Sequence, residues 1–282
     1  MSSYFQPATL QEALKLLKNG RPTVAAGCTD LYPLTTEKTL PGNVLDIMAL
    51  DELRGIKRTD GYWRIGATTT WTDILCANLP TAFDGLKLAA REVGSVQIQN
   101  VATIAGNLCT ASPAADGAPC LLTLDAWVEL QSIDSIRSVP LFEFLTGPRQ
   151  TALCPDEMVT AILVPEDISG AGHFLKLGAR KYLVISIAMV AVRVALDGDR
   201  IGDVALAVGS CGPTASRLTD LEGVLLGQPL HMVPELIRED LVAANLSPID
   251  DIRADAGYRI TAATELLRRA VRDLTQSARS VA

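Results

Sequence analysis

Apolar residues at Leu10, Ala13, Leu14 and Leu17 fall on one face of a helix. Thr9 stands where an N-cap is needed, Glu12 completes a capping box three residues on, and Gly20 marks the stop. The pattern then shifts to short apolar runs bounded by turn residues. Residues 23–26 read as a strand ending in Gly27-Cys28-Thr29-Asp30, and 44–47 as another, followed by an acidic turn at 51–55. Residues 62–67 read as a strand, 68–75 as the start of a helix, and 86–93 carry helical spacing. The apolar run 101–104 leads into a small-residue turn at Ala105, Gly106 and Asn107. Residues 119–130 pass from a helix or turn into a strand, and 140–145 and 158–164 are further short apolar elements.

Pro, Asp, Ser, Gly and Ala interrupt the pattern at 165–172, which marks a boundary. Beyond it, 174–178, 185–196 and 204–210 read as strands, and Asp197-Gly198-Asp199 is a hairpin signal between the last two. Residues 221–226 and 234–245 read as helices. A closing helix over 258–274 carries an apolar stripe through Ala263, Leu266, Leu267, Ala270, Val271 and Leu274, with Arg268, Arg269 and Arg272 on a solvated face.

Composition narrows the function classes. The 282 residues are 48% hydrophobic and 20% charged, an ordinary globular balance with no run of membrane-spanning length. The N-terminal stretch shows neither the basic nor the apolar region of a secretory signal, so the expected location is cytoplasmic. A net charge of −7 argues against nucleic acid as the main partner. An anionic ligand must therefore be held locally. The six cysteines show no CxxC pair and only two histidines are present, so no metal site is expected and any redox chemistry must come from an organic cofactor.

Two stretches share one design: an apolar approach, small residues, then hydroxyl and acidic side chains. They are 26–31 and 103–116. Small residues let a ligand approach the backbone, and successive N–H groups form an anion-binding concavity without any cation. Each stretch alone fits a plain turn equally well. Asp116 alone fits a helix cap, Lys176 a solvated edge residue, Cys109 a small buried residue and His173 a surface position beside the linker.

Together, AAGCTDL at 25–31, LDIMALDELRGI at 45–56, TIAGNLCTASPAAD at 103–116, HFLKLGARK at 173–181 and the closing YRITAATELLRRAV resemble the FAD-binding (medium) subunit of the xanthine dehydrogenase family of molybdenum hydroxylases. The resemblance runs over nearly the whole chain. It implies an α+β fold: a two-part α/β FAD-binding domain of PCMH type over 1–168 (parts about 1–56 and 57–168), then an antiparallel-sheet-plus-helices C-terminal domain over 172–282. It also implies FAD in this chain, with molybdenum cofactor and [2Fe–2S] clusters in partner subunits. Those partners are an iron–sulfur small subunit and a molybdenum large subunit in a hetero-oligomer. Ala26, Gly27, Cys28, Thr29, Asp30 and Leu31 are the implied first pyrophosphate loop. Thr103, Ala105, Gly106 and Asn107 are the second, reaching the ribityl chain. Asp116 is an implied polar contact, Val159 packs on the cofactor, and Lys176 approaches the flavin, where it would stabilise the reduced anionic ring.

The chain departs from the family pattern at Cys28 and Ala105, where glycine is common. The cradle is expected to survive unless the missing glycine required φ > 0. Leu183 replaces an acidic residue of some NAD-using relatives and leaves the terminal acceptor open. Of the substitutions Ala105→Val and Gly106→Val, the one at Gly106 is expected to lose FAD first. A self-contained flavin oxidase or reductase and an assembly module without FAD are the alternatives.

Overall fold

The structure is a computed structural model, and it describes residues 3–36 and 39–281. The chain divides into two compact units, each assembled from several segments. One comprises 1–77, 95–111 and 126–166; the other comprises 78–94, 112–125 and 167–282.

The first unit is built on two larger sheets and one short two-stranded hairpin. In the smaller, β1 (Tyr4–Phe5) and β2 (Thr23–Ala25) flank β3 (Val44–Asp46), all parallel. The helix Leu10–Gly20 belongs to the same core, burying Ala13, Leu14 and Leu17 with Leu45, Ile47, Leu50 and Leu53. The predicted Thr9 cap forms, with Oγ1 accepting from Glu12 N at 3.2 Å, but the capping box does not close: Glu12 Oε2 accepts from Ala8 N at 2.9 Å, one residue before the N-cap. Gly20 is the last helical residue, and it is Arg21 that turns left-handed (φ 44°). The larger sheet is antiparallel. β4 (Ile56–Thr59), β5 (Tyr62–Gly66), β6 (Trp127–Gln131), β7 (Ile136–Pro140) and β10 (Met158–Pro165) lie in the order β4-β5-β10-β6-β7, with β8 (Leu145–Gly147) and β9 (Gln150–Thr151) forming a separate hairpin. β10 is central and almost wholly buried, which explains why its run 158–164 is apolar but for Thr160, whose Oγ1 donates to Glu129 Oε1 at 2.6 Å.

The second unit is built on the antiparallel sheet β11 (Ala171–Leu177), β12 (Ala188–Asp197), β13 (Arg200–Gly209) and β14 (Ser216–Arg217). The hairpin at 197–200 forms, with Gly198 at φ 64°. The helices Asp84–Glu92, Gly117–Thr123 and Ala256–Val281 pack on this sheet. Fully buried Val190, Val192, Leu206, Leu221, Leu267 and Val271 form part of its core. Arg193 is buried on β12 and satisfied all round: it donates to the carbonyls of Thr123 (2.7 Å) and Ser169 (3.0 Å) and pairs with Asp203 and Asp125.

The structure corrects three local expectations. The predicted helix 234–245 is two short ones, Val233–Leu236 and Glu239–Ala243. Ile237 leaves the helical region (ψ 90°), and its carbonyl accepts from Arg268 Nε at 3.0 Å. Arg268 is therefore a structural donor and not part of a solvated face. The predicted strand 185–196 starts only at Ala188, because 178–187 form a loop with Leu183 left-handed at φ 50°.

Candidate functional site

In the first unit the loop 26–31 leaves β2 and turns beside the backbone of 101–102. A Cβ built on Gly27 would lie 1.9 Å from the Val101 carbonyl oxygen, so this close approach admits no other residue. Cys28 adopts φ 58°. Position 28 is therefore one where φ > 0 is required, and a cysteine occupies that conformation at a strain of roughly 1–2 kcal/mol. Burial, reinforced by the charge of Asp46, raises the Cys28 thiol pKa. From Thr29 the chain turns, and the Tyr32 N–H donates back to the Cys28 carbonyl at 3.3 Å. Among the described residues, nothing accepts from the N–H groups of Thr29, Asp30 and Leu31.

The second stretch is not a strand followed by a turn. Residues Val96–Gln99 form one helical turn, and Ile104–Thr110 form a seven-residue helix. Thr103 is its N-cap, with extended backbone and Oγ1 accepting from Gly106 N at 3.1 Å. The small residues that suggested a turn are instead its first turn. Ala105 carries no positive-φ demand, so its departure from glycine has no conformational consequence. Ile104 N donates to the Thr69 carbonyl and Asn107 N to that of Thr103, each at 3.0 Å; the Ala105 N–H finds no acceptor among the described residues. Asn107 Oδ1 is buried and unpaired. Thr110 Oγ1 donates to Asp30 Oδ2 at 3.3 Å and joins the two stretches. Cys109 is exposed, contrary to the burial expected of it.

The donor set suits a pyrophosphate-bearing cofactor with a polyol chain. Backbone N–H groups from two elements offer anion contacts with no cation among them. The buried Asn107 oxygen needs a donor, which a hydroxyl supplies; left unpaired it costs about 1–3 kcal/mol. Val159 sits on β10, on which the helix Ile104–Thr110 also packs, and is buried at a bulge where it faces Leu130.

The two other expected residues lie in the second unit and meet each other. Asp116 stands at the N-cap of the helix Gly117–Thr123 but does not cap it. Its carboxylate accepts from Lys176 Nζ at 3.1 and 3.2 Å and from Ser186 Oγ at 3.3 Å. Both side chains are buried, 12% and 7% exposed, and Lys176 adds only a long contact to the Glu92 carbonyl (3.5 Å). Burial raises the Asp116 pKa, against the opposing pull of Lys176 and Ser186, while nearby Glu92 adds to the rise. Lys176 also lines a cavity of about 450 Å³ with Leu88, Arg91, Phe174, Arg180 and Val184. His173 is not a bland surface residue: its Nε2 lies 3.1 Å from Asp273 Oδ2. No sequence signal marked Ser186, because its role depends on partners brought from elsewhere in the chain.

Comparison with known proteins adds a second line. Residues 1–167 match the family described as the FAD-binding domain in molybdopterin dehydrogenase, and 173–274 match the CO dehydrogenase flavoprotein C-terminal domain. The chain is 37% identical over 241 residues to the nicotinate dehydrogenase FAD-subunit of Eubacterium barkeri, covering 81% of each chain. It is 31% identical over 284 residues to the putative xanthine dehydrogenase FAD-binding subunit of Escherichia coli K12, covering 98% of this chain and 97% of that one. Among solved structures it is similar to a chain of the carbon monoxide dehydrogenase of Hydrogenophaga pseudoflava, with a TM-score of 0.87, 28% identity and 96% of both chains covered.

Proposed function

We propose a function from one premise: the chain belongs to the family of FAD-binding subunits of molybdopterin-dependent dehydrogenases. It passes electrons from [2Fe–2S] clusters of a partner subunit through FAD to a terminal acceptor, while a molybdenum-cofactor subunit oxidises the organic substrate. Residues 1–168 are its FAD-binding domain and 172–282 its C-terminal flavoprotein domain. The carbon monoxide dehydrogenase medium chain of Hydrogenophaga pseudoflava, 27% identical over 272 residues, supports a hetero-oligomeric assembly by its name. No helix among the described residues is long and apolar enough to cross a membrane. We assign the complex to the cytoplasm, which cell fractionation checks.

The observation that carries this reading is the pair of stretches joined at Gly27 and through Thr110–Asp30, with N–H donors left open. Bound FAD supplies the redox chemistry, accepting electrons singly and passing them on singly or in pairs. The chain supplies placement. The N–H groups of Thr29, Asp30, Leu31 and Ala105 hold the pyrophosphate, flanked by Ala26, Gly27, Cys28, Thr103 and Gly106, and Asn107 Oδ1 accepts from a ribityl hydroxyl. Val159 forms an apolar wall. Lys176 would offer its cation to the bound flavin, with Asp116 holding the ammonium in position.

An absorption spectrum of the purified chain, followed by co-purification, tests the proposal. A flavin band and capture of an iron–sulfur subunit are expected. Absence of flavin would instead indicate the assembly module, and flavin turnover without any partner the self-contained oxidase.

A further inference from the structure

The Lys176–Asp116 pair is not self-supporting. Lys176 reaches one carboxylate and one distant carbonyl, and Asp116 accepts side-chain hydrogen bonds from Lys176 and Ser186 alone among the described residues. The orientation of the carboxylate therefore depends on where Ser186 stands. Ser186 is 1% exposed and closes the loop 178–187, just before β12. That loop carries exposed Tyr182, Leu183 and Ile185, so little apolar packing anchors it.

Its last two residues are clamped by arginines. The Ser186 carbonyl accepts from Arg253 NH1 at 3.1 Å, and the Ile187 carbonyl from Arg259 NH1 at 2.6 Å. One carboxylate, Asp251, serves both cations. It accepts from Arg253 Nε (3.0 Å) and NH2 (2.6 Å) and from Arg259 NH2 (2.7 Å). The Ile187 N–H donates to the Leu177 carbonyl at 2.7 Å and fixes the register against β11. A continuous polar chain thus runs from Asp251 through Arg253 and Ser186 to Asp116 and Lys176.

We propose that Ser186, held by Arg253, is a positioning residue that orients the Asp116 carboxylate and through it the Lys176 ammonium. This rests on the reading that Lys176 meets the flavin. Ser186 acts through Asp116 and touches no reacting atom.

The test uses the purified full-length chain and two readouts. In the FAD-free chain, the Lys176 side-chain nitrogen should give a slowly exchanging ammonium resonance by NMR. Ser186→Ala and Arg253→Ala should broaden or abolish it, and Arg253→Lys should restore it in part. In the FAD-loaded chain, Ser186→Ala should raise the FAD dissociation constant roughly three- to tenfold and move the flavin midpoint potential in the same direction as Lys176→Ala. Arg253, partly exposed, carries the test if Ser186→Ala does not fold. If Lys176→Ala shifts the potential while Ser186→Ala and Arg253→Ala leave the resonance and the potential unchanged, the positioning role is wrong and the flavin reading stands. If Lys176→Ala itself changes neither potential nor affinity, the flavin reading fails first.

Discussion

The two stretches of the first unit and the ion pair of the second solve different problems. The stretches at 26–31 and 103–107 meet an anion with uncharged backbone, and their requirement is space: Gly27 is pressed against the Val101 carbonyl. The pair Lys176–Asp116 is a matter of charge, two largely buried ions that tolerate little change because neither has another ionic partner among the described residues. A chain of net charge −7 can hold an anion in the first way without paying for a basic surface. The first region should therefore be sensitive to size and the second to charge, and mutations can separate the two.

The largest effect is expected at Gly27. A methyl group there meets backbone, which cannot rotate away, so Gly27→Ala should destabilise by about 4 kcal/mol and abolish flavin content, read by thermal unfolding and flavin absorbance. Gly106→Ala tests the same idea more gently. Its Cβ would lie 2.9 Å from Thr103 Oγ1, a side chain able to move, so the loss should be near the value of one cap, about 1 kcal/mol. Gly27 is thus more sensitive to bulk than Gly106.

Next comes Asp116→Ala, which strands the Lys176 charge and should destabilise by roughly 3 kcal/mol; Asp116→Ala combined with Lys176→Met should recover most of it in urea unfolding. If the double variant were no more stable than the single, charge would not be what this region requires. Two smaller changes sharpen the site. Cys28→Gly relieves the left-handed strain and should gain about 1 kcal/mol with FAD affinity kept or improved. Asn107→Leu removes an unpaired buried acceptor; stability should hold while FAD affinity falls about tenfold, measured by calorimetry.

The smallest effect concerns pH and differs in sign between the units. Glu157, in the first, is held down to about 2 by Arg137, reinforced by the Cys154 N–H. A depressed carboxylate stabilises the fold above its ordinary value and loses that contribution as pH falls toward 2. Asp116 is raised, so its carboxyl favours folding at acid pH and that advantage disappears as pH rises through its folded value. Glu157→Gln should flatten acid unfolding between pH 5 and 2, and Asp116→Asn should not.

Much of the fold is written locally. The Thr9 cap, the Gly198 hairpin and the mainly apolar run of β10 depend on residues close in sequence, so spacing alone identifies them. The 103–110 segment is the instructive failure. Gly and Asn score poorly as helix formers, and the helix forms because Thr103 caps it, the Thr69 carbonyl takes the Ile104 N–H and Ile104 and Leu108 are fully buried.

The sequence by itself determined the family resemblance, the order of elements and the two small-residue stretches, since these rest on residue identity and short spacing. Tertiary structure alone decided that Gly27 abuts Val101, that Cys28 bears the left-handed turn, and that Asp116 belongs to Lys176 and Ser186 and caps no helix. Each of those is a contact between positions, or a conformation imposed by one. A buried charge takes whichever partner the fold brings within about 3 Å, because leaving it unpaired costs more than any local preference provides.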